Sequence, residues 1–77
     1  MEVYPNPVSK EFKVLLNGSQ KSLRLELFSL TGVLLLSRNI TNGEATDISE
    51  YPEGLYFLRV FDADSFKVYN TSLLVSH

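Results

Sequence analysis

A chain of 77 residues can hold one hydrophobic core and no more, because a domain usually takes about 100 to 150 residues. With 44% hydrophobic against 21% charged residues, and 9 acidic against 7 basic side chains, it is not a charge-expanded disordered chain. Its net charge of -2 and scattered Lys and Arg residues offer no basic field for nucleic acid. Cysteine is absent, which removes disulfides, thiolate catalysis and thiolate metal sites, so the fold is expected to stand on packing alone.

A chain this short buries only about 60% of its unfolded surface, so nearly every large apolar side chain is needed inside. Little room is left for an active-site cavity, and composition already argues against an enzyme. The apolar run Val33 to Leu36 is four residues long, against the roughly 20 needed for a membrane-crossing helix, and the first residues lack the charged-then-apolar pattern of a secretion leader.

Taken in chain order, the apolar residues recur with period two. A short strand near Val3 to Tyr4 opens the chain. It runs into Tyr4-Pro5-Asn6-Pro7, where two prolines fix φ and remove N–H donors, so this segment is expected to be a stiff, extended lead-in outside any ladder interior. Phe12 to Leu16 places Phe12, Val14 and Leu16 on one face. After Asn17-Gly18, the segment Leu23 to Ser29 sets Leu23, Leu25 and Leu27 against Arg24 and Glu26 on the opposite face. Leu30-Thr31-Gly32 reads as a tight hairpin whose positive φ glycine supplies without steric cost. Strands follow at Val33 to Asn39 and, past Asn42-Gly43, at Ala45 to Ile48.

Pro52-Glu53-Gly54 precedes the sixth strand, Leu55 to Asp62, with Gly54 expected to supply a positive φ. Tyr56 is placed to bury its ring while its hydroxyl finds a partner at the core edge. Tyr56, Leu58 and Val60 point inward, which sends Leu55, Phe57, Arg59 and Phe61 outward. Asp62-Ala63-Asp64 turns the chain into a last strand, Lys67 to Val75. Seven short strands, about one per 11 residues, predict an all-β fold: an immunoglobulin-like antiparallel β-sandwich, with a small β-barrel as the alternative.

The residues carry little chemistry. The sole histidine, His77, is the last residue, so no nucleophile can be paired with a firmly held imidazole, and no catalytic residue or cofactor is assigned. Glu26, Asp47, Glu50, Glu53, Asp62 and Asp64 read as solvated charge at turns, at strand ends or on a polar strand face. Asp62-Ala63-Asp64-Ser65 lacks the glycine and terminal glutamate of a calcium loop and reads as a hairpin turn. Asn17-Gly18-Ser19, Asn39-Ile40-Thr41 and Asn70-Thr71-Ser72 match the short glycosylation pattern, which is uninformative in a chain rich in these residues.

Three motifs in fixed order say more: Tyr4-Pro5-Asn6-Pro7, then Leu25-Glu26-Leu27-Phe28-Ser29-Leu30-Thr31-Gly32, then Asp47-Ile48-Ser49-Glu50-Tyr51-Pro52-Glu53-Gly54-Leu55-Tyr56-Phe57-Leu58-Arg59-Val60. Together they resemble the C-terminal sorting domain of type IX secretion system cargo proteins, over essentially the whole chain. The resemblance implies a seven-stranded immunoglobulin-like domain at the end of a longer secreted precursor, reaching the surface or the medium by way of the periplasm and outer membrane. It also implies two partners, the outer-membrane secretion machinery and a sortase-like peptidase that often removes the domain. The motif residues Tyr4, Pro5, Asn6, Pro7, Leu30, Thr31, Gly32, Gly54 and Tyr56 would then either hold the fold or face the machinery. Two positions depart from the family pattern: Ser29 stands where Asp or Asn is usual, and Ser72 where a basic residue is usual.

Two aromatics flanking an arginine on one outward strand face exceed scattered single exposures, and such area tends to mark a contact site. Phe57, Arg59 and Phe61 are therefore a candidate patch for the machinery or for self-association, unless side chains of the last strand such as Tyr69, or a preceding cargo domain, cover them. The competing reading is an accessory sandwich that binds a glycan or a neighbouring domain.

Overall fold

The computed structural model describes residues 1–17 and 22–77, so Gly18 of the turn expected at Asn17-Gly18, and Gly18 and Ser19 of the first glycosylation pattern, lie outside the described residues. Seven strands follow in order: β1 (Glu2–Tyr4), β2 (Glu11–Leu15), β3 (Ser22–Phe28), β4 (Leu34–Thr41), β5 (Ala45–Asp47), β6 (Gly54–Asp62) and β7 (Lys67–Val75). Every predicted strand is present, with ends displaced by two residues at most and the last one matching at both ends.

The strands form two antiparallel sheets, β1-β2-β5 and β4-β3-β6-β7. They stay separate sheets rather than closing into a barrel, joined by one isolated parallel bridge between Val8 and Val75. In the immunoglobulin constant-type arrangement the fourth strand joins the sheet of the first, second and fifth. Here the short Leu30-Thr31-Gly32 hairpin returns β4 onto β3, so β4 belongs to the larger sheet. A bulge between Leu27 and Phe28 leaves Leu35 without an opposite residue.

The core is the alternation made physical. Phe12, Val14 and Leu16 from the smaller sheet meet Leu23, Leu25, Leu27, Tyr56, Leu58, Val60, Leu73 and Val75 from the larger one, with Val8, Ile40 and Ile48 closing the sides. All nine side chains expected inside on β2, β3 and β6 are buried. Thr46 faces the same interior opposite Phe12, and its Oγ1 is buried with no hydrogen-bond partner among the described residues.

Asn42, in the β4–β5 turn, stitches the two sheets together. Its amide accepts from the Leu16 N–H (2.8 Å) and donates to the Leu16 carbonyl (2.7 Å), and Gly43 donates to the Val14 carbonyl. A side-chain amide offers the same donor and acceptor pair as a peptide, so asparagine can stand in for a missing strand residue.

Candidate functional site

Register brings the three motifs to one end of the sandwich. Phe28 lies opposite Leu34 on one side and Phe57 on the other, Phe57 lies opposite Ser72, Leu55 opposite Leu74, and Gly54 opposite Val75. The end of β3, the start of β4, the start of β6 and the end of β7 therefore coincide. The first motif arrives there from the other sheet. The Asn6 amide donates to the Ser72 carbonyl (3.2 Å) and accepts from the Leu74 N–H (3.0 Å). Val8 then donates to the Leu74 carbonyl and Ser76 to the Val8 carbonyl.

Residues 5–7 are thus a bend that caps the outer edge of β7, not the extended lead-in expected from the prolines; the Tyr4-Pro5 and Asn6-Pro7 peptide bonds are both cis. The edge groups of β7 need partners, and Asn6 and Val8 supply them. Tyr4 ends β1 with an exposed ring, and Pro5 and Pro7 are exposed beside it.

The second motif is a hairpin held from within. Ser29 donates its N–H to the Val33 carbonyl, Gly32 donates to the Ser29 carbonyl, and the Ser29 hydroxyl accepts from the Val33 N–H (3.1 Å) while meeting Thr31 Oγ1 at 2.9 Å. Serine here fills the acceptor place that Asp or Asn would take in such a turn. Gly32 has φ +85°, as expected. An added Cβ would meet nothing within 4 Å, so conformation and not space asks for glycine. Leu30 and Val33 flank it, 61% and 56% exposed.

In the third motif Gly54 is the first residue of β6, with φ +152°. Tyr56 is buried, its hydroxyl donates to the Pro52 carbonyl, and its ring meets Tyr51 edge-on with centroids 6.3 Å apart. A tyrosine at the start of the sixth strand bonded to backbone a few residues upstream is the tyrosine corner of immunoglobulin-like sandwiches.

On the outer face of the larger sheet, Leu34, Phe28 and Phe57 form a row across β4, β3 and β6, with Leu55 and Leu74 paired beside it on β6 and β7. Phe57 is 46% exposed, and Leu34, Leu55 and Leu74 are exposed with it. Arg59 sits behind the row, bonded to the Glu26 carboxylate at 2.8 Å and 2.7 Å, its guanidinium 5.0 Å from the Phe28 ring centroid. Phe61 points outward too but is half-buried, at the opposite end of β6 between Arg24 and Val68.

The structure therefore groups Phe57 with the motif end, leaves Arg59 in the middle and sets Phe61 four residues farther along β6, a span of about 13 Å at the usual rise of a strand. Tyr69 does not cover them. It pairs with Val60, which puts it on the inner face, packed against the core.

A family model, the secretion system C-terminal sorting domain, matches residues 2–75. The chain belongs to that family of type IX sorting domains. No curated protein matches it in sequence. Membership favours the sorting role over the accessory binding module. The row of exposed apolar side chains lies at the end of the sandwich where the three sequence motifs meet.

Elsewhere the sorting domain uses its polar groups locally. A groove of about 280 Å³ opens at the seam between β4 and β5, lined by Leu36, Arg38, Thr46, Asp47, Glu50 and Tyr51. Arg38 there is tied to Glu44 at 2.6 Å. Bonds from the Thr41 N–H and hydroxyl, with help from Arg38, hold the Glu44 carboxyl below its ordinary range, and the Ser49 hydroxyl and N–H do the same for Asp47. Among the described residues no three His, Cys, Asp or Glu side chains gather as metal ligands.

Asp62 corrects the expectation of solvated charge. It is buried, accepting from the Asp64 N–H (3.0 Å) and the Ser65 hydroxyl (3.1 Å), because the β6–β7 turn folds its own donors over the carboxylate. Sequence reasoning also missed the roles of Asn6 and Asn42 as strand surrogates. Their placement after a strand end was the available signal, but their partners lie 26 to 68 residues away.

Proposed function

We propose that this sorting domain is the address that directs a larger cargo protein through the type IX secretion machinery of the outer membrane, and that the exposed apolar row around Phe57 is the surface the machinery reads. The match over residues 2–75 carries the first part. The second is supported by the convergence of three sequence-distant motifs on the end where Leu30, Val33, Leu34, Leu55, Phe57 and Leu74 face water. Contiguous exposed apolar groups on a small domain are costly to keep without a partner, and aromatic side chains supply much of the energy where partners meet.

In this reading the address acts by binding, not by chemistry. Asn6 and the Ser29 hairpin hold the backbone of the surface, Tyr56 anchors β6 beneath it, and Arg59 frames it with Phe28. The cargo reaches the cell surface or the medium, and a sortase-like peptidase removes the domain once the cargo has crossed.

The test is a reporter carrying a signal peptide at its N-terminus and these 77 residues at its C-terminus, expressed in a bacterium that has the system. Extracellular or surface-bound reporter is expected, and periplasmic retention overturns the address. The same fusion with Leu34→Ser and Phe57→Ser, shown to be folded by circular dichroism, is expected to stay in the periplasm. Normal export of that variant overturns the surface assignment and leaves the address standing.

A further inference from the structure

His77 follows the end of β7, and its ring bridges two connections that belong to different parts of the chain. Nδ1 lies 2.7 Å from the Ser9 carbonyl oxygen in the β1–β2 connection, and Nε2 lies 2.6 Å from the Tyr51 carbonyl oxygen in the β5–β6 connection. Both partners are acceptors only. A neutral imidazole carries one N–H, so it can donate to one of them and must set a bare nitrogen lone pair against the other. The imidazolium donates to both, and charge-assisted N–H···O bonds are short in the manner seen here. We infer that His77 is a proton-operated clasp, which in its charged form pins the end of β7 across the β1–β2 and β5–β6 connections and releases one of them when neutral.

The surroundings agree with this. The Tyr51 carbonyl, then the Ser9 carbonyl, and more weakly the negative charge of Glu53 hold the imidazole above its ordinary range. The other charged residues flanking the two partners are Lys10, next to Ser9, and Glu50, next to Tyr51. What the clasp fastens is the motif end: Ser76 is bonded to Val8, and Tyr51 packs edge-on against Tyr56. A folded-state pKa above the unfolded one gives stability that is full below the unfolded value, about 6.5, and is lost as pH rises through the folded value.

The experiment is an NMR pH titration of the chain from about pH 5 to about pH 9, following the His77 ring and the carbonyl carbons of Ser9 and Tyr51. All three are expected to move with one midpoint above about 6.5. Over the same range the melting temperature of the wild type should fall relative to that of His77→Gln, which lacks the titrating ring. A ring midpoint at or below about 6.5, or carbonyl signals that do not follow the ring, overturns the clasp. So does a melting-temperature difference that stays constant across the range.

Discussion

The two faces of β6 contain apolar side chains in similar number and meet opposite fates. On one, Tyr56, Leu58 and Val60 lie against the smaller sheet and are buried. On the other, Leu55 and Phe57 are exposed, Arg59 is tied to Glu26, and Phe61 is half-buried. Hydrophobicity alone does not separate the two sets. What separates them is that the three-stranded sheet packs on one face of the four-stranded one, while among the described residues no layer lies over the outer face of the latter. An apolar group on the inner face therefore holds the fold, whereas one on the outer face is available to hold something else.

Substitutions along this one strand test that division. Leu58→Ala should cost about 2 to 5 kcal/mol, since it opens a cavity between the sheets, and thermal or denaturant unfolding would show it. An unchanged midpoint would mean that the inner face is not the core. Phe61→Ser should cost about 1 kcal/mol, because part of its ring is already out of water. Tyr56→Phe keeps the ring and deletes only the bond to the Pro52 carbonyl, a loss of about 1 kcal/mol. A loss several times larger would make that bond, rather than the ring, the anchor of β6.

Phe57→Ser should change stability by no more than about 0.5 kcal/mol while reducing export of a fused reporter. If Phe57→Ser destabilises as much as Leu58→Ala, the outer face belongs to the core and the contact surface must be sought elsewhere.

Much of this division was legible before the structure. Alternation in Leu23-Arg24-Leu25-Glu26-Leu27 and in Tyr56-Phe57-Leu58-Arg59-Val60 names which side chains share a face, because a pleated strand allows no other arrangement. Glycine at position 32 was readable for a similarly local reason, the positive φ of a tight turn. The tyrosine corner was half-readable: the buried ring followed from the alternation, while its acceptor at Pro52 required the turn to be built. Asp62 was misread as solvated because exposure is the usual state of a carboxylate, and the donors that overrule it come from the fold of the turn itself.

The sequence by itself determined the number of strands, their approximate bounds, the inward set on β2, β3 and β6, and the membership in a sorting family through three short motifs. Tertiary structure alone decided the rest. It put β5 beside β2 in the smaller sheet, bent the Pro5–Pro7 segment so that Asn6 caps β7, turned Tyr69 inward, and drew the three motifs to a single end. The physical reason is range. Side-chain alternation and turn preference act over a few residues and are written in the order of the chain, whereas strand partners, edge caps and uncovered faces are set by contacts between segments far apart in it.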